Sequence, residues 1–213
     1  MSDTSVPIAT EIDAPTDPCR GQRADARRNR ERVLLAARKL FAAHGLDAQM
    51  DRIARDAGVG VGTVYRHFPN KEDLLEALIE DRFERLAARG REALEVDDPW
   101  QGFCEFMTFA ARVMAEDRAL SEAMSQWSKR MQEAADASGV NEIAGRLIAR
   151  AQESGDLRAE IEVSDVPMVI CGLGRSAHVE ITGMPFSWRR FLVLILDGMR
   201  APGGSPLPPL PTG

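Results

Sequence analysis

The chain has 213 residues, 44% of them hydrophobic and 28% charged, with a formal net charge of −6. That length holds one large or two small domains with ample core, and that balance excludes a low-complexity disordered chain. No apolar run reaches membrane-spanning length and the N-terminus lacks a signal peptide's basic start, so a cytoplasmic protein with no membrane partner is expected.

The charge is unevenly placed. Between Arg20 and Lys71 twelve basic residues stand against five acids, so this stretch carries +7 and leaves −13 for the remainder. A basic head on an acidic body is the pattern of a nucleic-acid-binding module joined to a second domain. Only three of the 27 basic residues are lysine, a bias that points to a high-GC bacterial coding sequence. The cysteines Cys19, Cys104 and Cys171 fit no metal or redox spacing, which suits a reducing compartment.

Residues 1–19 mix Pro, Thr, Ser and Asp without periodicity and read as a disordered tail. The basic run Arg20 to Arg32 is either an arm along phosphates or the solvated start of a helix. A first helix is predicted from about Ala26 to His44, with an apolar stripe of Val33, Leu34, Ala37, Leu40 and Phe41 and a stop at Gly45. Ile53, Ala54 and Ala57 then recur at helical spacing, so Met50–Ala57 is a short amphipathic helix. Gly58 follows where a chain leaves a helix with positive φ, and a second short helix, Val61–His67, ends before Pro69. Two short helices about a glycine turn describe a helix-turn-helix, whose second helix enters the DNA major groove. Val64 and Phe68 share its core face, leaving Thr63, Arg66 and His67 outward with Tyr65 at the flank. A phosphate-cradling loop at Gly58-x-Gly60-x-Gly62 is disfavoured because a helix, not a strand, precedes it. A hairpin that merely packs is disfavoured by the basic flanks.

The run I-A-R-D-A-G-V-G-V-G-T-V-Y-R-H-F-P-N-K-E-D-L-L resembles the DNA-binding signature of the tetracycline-repressor (TetR) family, over roughly Arg27 to Ala77. The resemblance implies an all-α homodimer that binds a near-palindromic double-stranded operator, with DNA contacts at Arg52, Val61, Gly62, Thr63, Tyr65, Arg66, His67 and Lys71. Where family members often place a capping Thr or Ser before the first of the two short helices, Ala48-Gln49 stands here, a weaker cap.

Asn70 caps a fourth helix that runs to Arg89 or beyond and links head to body. Lys71 in its first turn opposes the helix dipole, an arrangement that suits a DNA phosphate there. Helices are then predicted from Asp98-Pro99 to about Ala115, from Asp117 to about Met131, from Val140 to Ser154, from Ser164-Asp165 to about Glu180, and from Trp188 to Met199 behind a Ser187 cap. Residues 201–213 read as a second loose tail.

Gly172-x-Gly174-x-x-Ala177 fits a dinucleotide fingerprint only superficially, since no sheet can be completed after Asp197. Gly172, Gly174, Ser176 and Ala177 are read instead as a close helix approach. His178-Val-Glu180 matches half of a zinc-deaminase motif, but no C-x-x-C exists. Nothing points to catalysis, a cofactor or a metal, and the chain is read as a non-enzyme. Trp100, Phe103, Met107, Met124, Trp127 and Met131 are bulky and adaptable, and Arg175 and His178 supply polar groups. Family analogy makes these an effector pocket, the bland alternative being plain core. The last helix is apolar nearly all round, and the resemblance implies dimerisation there, with Gly172, Gly174, Phe191, Leu192, Ile195 and Met199 at the interface.

The expected architecture is a three-helix head at 20–77 and a helical effector-binding and dimerisation body at 78–200. The expected function is a DNA-binding regulator, a repressor released from its operator by a small molecule. The alternative is an effector-free dimeric DNA-binding protein with a filled core.

Overall fold

The computed structural model describes residues 18–116, 128–177, 187–202 and 205–208, which form α-helices with one isolated bridge between Leu157 and Arg200. The head comprises α1 (Pro18–His44), a 3-10 turn (Gly45–Asp47), α2 (Met50–Ala57) and α3 (Val61–His67). The long α4 (Lys71–Leu94) leaves it for a body of α5 (Pro99–Glu116), α6 (Ser128–Ser138), α7 (Val140–Glu153), α8 (Asp165–Ala177) and α9 (Trp188–Met199). The all-α class follows.

Two apolar cores form. In the head, Phe41, Ile53, Val64, Phe68 and Leu74 are nearly inaccessible and pack together. Each such side chain contributes about 1.5–3 kcal/mol by leaving water, and Phe41→Ala would cost about 3–5 kcal/mol with its cavity. The body core gathers Leu86, Phe103, Phe106, Met114, Leu147, Leu173 and Leu192 from α4, α5, α7, α8 and α9. Helix α4 serves both: Leu74, Leu75 and Leu78 belong to the head cluster, Leu86, Ala87 and Ala93 to the body cluster.

Local chemistry sets the helix ends. Gly58 takes φ +63°, where a side chain is strained, and closes α2 with its N–H on Ala54 O and Arg55 O. Arg32 Nη2 of α1 donates to Gly58 O at 3.1 Å, fastening the turn. Asn70 Oδ1 accepts from Asp73 N at 2.8 Å and Asp98 Oδ1 from Gln101 N at 3.1 Å, the caps of α4 and α5. Gln49 makes no capping bond to α2, as its residue type suggested. Arg150 of α7 donates to the Leu94 and Val96 carbonyls, satisfying groups that the end of α4 leaves open.

Some helix ends differ from those predicted. Helix α1 begins at Pro18, well before Ala26. A proline at the first helical position is favourable, and the Ala, Arg and Gln that follow are strong helix formers without an apolar stripe. Helix α6 continues past Met131 to Ser138, and α8 is described to Ala177; the start of the helix predicted from Asp117 and the segment up to Glu180 lie outside the described residues. The tail beyond Met199 is held at its root: Ala201 N donates to Asp156 O at 2.8 Å, and Arg158 Nη2 donates to Ser205 O.

Candidate nucleic-acid interface and body cavity

Helix α3 has only seven residues, and its two sides differ sharply. Val64 is 0% and Phe68, just past its end, 3% exposed, so they anchor it. Val61, Gly62, Tyr65 and Arg66 are exposed and Thr63 and His67 half-buried. Nothing lies within 4 Å of where a Cβ on Gly62 would sit, so backbone there is open to an approaching surface. Arg52 is exposed on α2, and the head adds the exposed Arg27, Arg28, Arg30, Arg32 and Arg55. Exposed arginines therefore stand on α1, α2 and α3, of which Arg27 and Arg28 pair with Glu31 and Asp25.

Lys71 departs from the bare helix-end cation expected from sequence. It is half-buried, its ammonium donates to Leu46 O, and Nζ lies 5.7 Å from the centroid of the Phe41 ring. The residue fastens the start of α4 to the turn after α1. An ammonium has three donors, so a phosphate contact remains compatible with this bond.

Behind the head, α4 reaches the body as one wall of a cavity of about 110 Å³. Phe83 and Leu86 of α4, Phe106, Ala110 and Met114 of α5, Met131 of α6, Val140 and Ala144 of α7, and Ile170 and Cys171 of α8 line it. Arg82, only 6% exposed, also lines it. Its Nη2 donates to Met114 Sδ and its guanidinium carbon is 6.0 Å from the Phe83 ring centroid. Arg82 was missed in the sequence, although it stands four residues from Leu78 and from Leu86 on a buried stripe.

The expected pocket set is accordingly revised. Met131 lines the cavity, whereas Phe103 and Met107 are buried in packed core, and Trp100 stacks on Phe103 with ring centroids 5.8 Å apart. Arg175 is exposed on the outside of α8. Met124, Trp127 and His178 lie outside the described residues.

The expected interface set also divides. Leu192 and Met199 are 2% and 5% exposed and belong to the chain's own core, so they leave no surface for a partner. Gly174 is buried: a Cβ there would meet Met114 Cβ at 3.0 Å, so its role is the approach of α8 to α5 within the chain. Gly172 faces open space, Phe191 is 40% exposed and Ile195 half-buried. With Met168 and Leu194, at 75% and 61%, they form an uncovered apolar strip on α8 and α9.

Burial pushes the Cys104 thiol up to about 11 and raises that of Cys171 as well, so both stay protonated near neutrality. Among the described residues no group of three or more His, Cys, Asp or Glu is placed to hold a metal, and no helix is long and apolar enough to cross a membrane.

Comparison with known proteins agrees with this geometry. Residues 33–78 match the profile of bacterial regulatory proteins of the tetR family, and residues 98–201 that of the SbtR-like transcriptional regulator C-terminal domain. An HTH-type transcriptional regulator of Staphylococcus aureus is 46% identical over 59 residues, 27% of this chain and 32% of its own length, so the chain matches only about a third of that relative. The crystal structure of a TetR transcription regulatory protein from Mycobacterium vanbaalenii is 36% identical, with 84% of this chain and 99% of that one covered and a TM-score of 0.64. A TetR transcriptional regulator of Streptomyces coelicolor is 28% identical over 80% of this chain and 98% of its own, with a TM-score of 0.57. A tetR-type head, an SbtR-like body and a relative matched along nearly its whole length place this chain in the TetR family of transcriptional regulators.

Proposed function

We propose that the protein is a repressor that binds a near-palindromic operator as a twofold homodimer and is released by a small molecule entering the body. The observation that carries this reading is the double membership of α4. Its first turns, with Leu74, Leu75 and Leu78, are built into the DNA-binding head, while Arg82, Phe83 and Leu86 wall the cavity. A molecule seated there touches the same rigid rod that positions α3. Release then requires that the molecule bind the DNA-incompetent arrangement better than the competent one. A coupling of roughly 1–3 kcal/mol suffices, and by linkage operator DNA weakens the molecule by the same factor. Within the head, Arg52, Val61, Gly62, Thr63, Tyr65, Arg66, His67 and Lys71 are the proposed DNA contacts. The uncovered strip of Met168, Gly172, Phe191, Leu194 and Ile195 is the proposed dimer face.

The modest size of the cavity favours a second reading, an effector-free dimeric DNA-binding protein whose core is essentially filled. Selecting operators from a random duplex library with the full chain, then titrating DNA binding with and without small molecules, separates the two. The repressor reading expects palindromic half-sites separated by about one or more helical turns, and a ligand that weakens binding. Selected sites without twofold symmetry overturn the dimer. DNA affinity indifferent to every molecule that binds the body leaves the effector-free reading.

A further inference from the structure

We infer that the body cavity accepts an uncharged, largely apolar molecule about the size of one six-membered ring. This rests on the effector reading for its regulatory meaning, but not for the binding itself. The cavity measures about 110 Å³. Pockets for drug-sized ligands run from about 300 to 1,000 Å³, whereas an apolar void of about 150 Å³ stays dry and takes benzene. The described space is thus too small to hold a long-chain or nucleotide-bearing molecule whole.

Chemistry narrows the class further. Phe83, Phe106, Met114, Met131 and Ile170 present rings, thioethers and aliphatic carbon to the space. Rings and thioethers pair well with an aromatic guest. Water is a poor occupant, because it needs two to four polar partners. Few polar groups stand on the described wall. Arg82 donates to the Met114 sulfur, and Asn141 Nδ2 donates to Asp136 Oδ1 at 3.0 Å. The Cys171 thiol is held neutral by burial. A carboxylate entering here would lose its hydration, and Arg82 is the one cation on the described wall to offset that loss. A methyl-substituted arene loses almost nothing.

Toluene, sodium benzoate and stearoyl-CoA are the probes, and the full-length protein is the target, with thermal shift and calorimetric titration as readouts. Toluene should raise Tm by several degrees at saturation, with benzoate at least tenfold weaker and stearoyl-CoA without effect on this site. Ala144→Leu fills the space and should weaken toluene at least tenfold. If that variant does not fold, Ile170→Ala enlarges the space and should shift preference toward naphthalene. Benzoate binding as tightly as toluene overturns the uncharged class. Unchanged toluene affinity in the filled variant, or unchanged preference in the enlarged one, overturns the site, as does the absence of any toluene binding. Toluene that binds as described without altering operator affinity supports this inference and defeats the effector reading alone.

Discussion

Arg130 Nη1 of α6 lies 2.9 Å from Glu76 Oε2 of α4, so a body helix grips α4 inside its head portion. Glu76 sits between Leu75 and Ala77, both in the head core, and Arg130 adjoins Met131 in the cavity wall. Arg130 thus ties the helix that carries Met131 to α4. Both side chains are nearly half exposed, at 46% and 44%, so the pair is worth at most about 1 kcal/mol of stability. Glu76→Gln should leave the unfolding midpoint close to wild type while reducing the ratio of operator affinities measured without and with toluene. An unchanged ratio removes α6 from the coupling path.

Lys71 and Arg66 should behave differently although both are cations of the head. Lys71 is tied to Leu46 O and the Phe41 ring, contacts worth together about 1–2 kcal/mol. Lys71→Ala should lower head stability by that amount in urea unfolding and weaken specific and random DNA alike. If its remaining donors reach a phosphate, the salt slope falls by about one. Arg66 is exposed on α3. Arg66→Ala should leave stability within about 0.5 kcal/mol and cost about 1–3 kcal/mol of discrimination between operator and random DNA. Equal losses on both DNAs for Arg66→Ala would remove it from base reading.

The contrast between head and body explains what was legible in the sequence. The bounds of α2, α3 and α9 coincide with those read from periodicity, Gly58, Pro69 and Ser187, because caps and positive-φ glycines are local determinants. Asn70 likewise caps as its residue type demands. The cavity was not legible. Helix α5 carries apolar residues over much of its surface, and only the way α4, α7, α8 and α9 pack on it decides that Phe106 and Met114 border a void while Phe103 and Met107 meet solid core. The same holds for Gly174, whose meaning depends on Met114 sixty residues earlier. Lys71 was legible as a charge at a helix start but not as a bond to Leu46 O, since the turn after α1 brings that carbonyl in.

Cys104 supplies a pH-dependent prediction. Burial, the largest cause, raises its pKa to about 11, from 9.0 for the unperturbed thiol. Below about pH 9 both folded and unfolded thiols are protonated and the stabilising contribution is complete. As pH climbs toward 11 the unfolded chain releases its proton first, so that contribution declines through this window. The difference in unfolding midpoint between wild type and Cys104→Ala should accordingly shift against the wild type from pH 9 to 11. At pH 8 the folded thiol should also react with iodoacetamide more slowly than the same thiol in urea. A pH-independent difference, with rapid alkylation of the folded protein, would contradict the burial argument.

The strip on α8 and α9 yields the test of assembly. Phe191, Leu194 and Gly198 recur at helical spacing on a side of α9 turned away from the buried Leu192, Leu196 and Met199, with Ile195 at its edge and partly packed on the core. Met168, Gly172 and Arg175 do the same on α8, and nothing lies within 4 Å of a Cβ position on Gly172 or Gly198. Two exposed glycines on adjoining apolar helices leave room for a second pair of helices to lie close, and a twofold copy supplies such a pair. Leu194→Glu places a charge on this face without touching the core, so monomer stability should change by about 0.5 kcal/mol or less. In a symmetric interface the two new carboxylates enter the same contact together, each losing hydration without a partner. Sedimentation should therefore show the dimer weakened by at least a hundredfold, and operator binding should fall with it because both half-sites must be engaged. Leu192→Glu is the contrasting control: with Leu192 only 2% exposed, that substitution should unfold the body rather than merely separate subunits. A Leu194→Glu protein that sediments and binds operator like wild type would place the dimer contact elsewhere on the molecule.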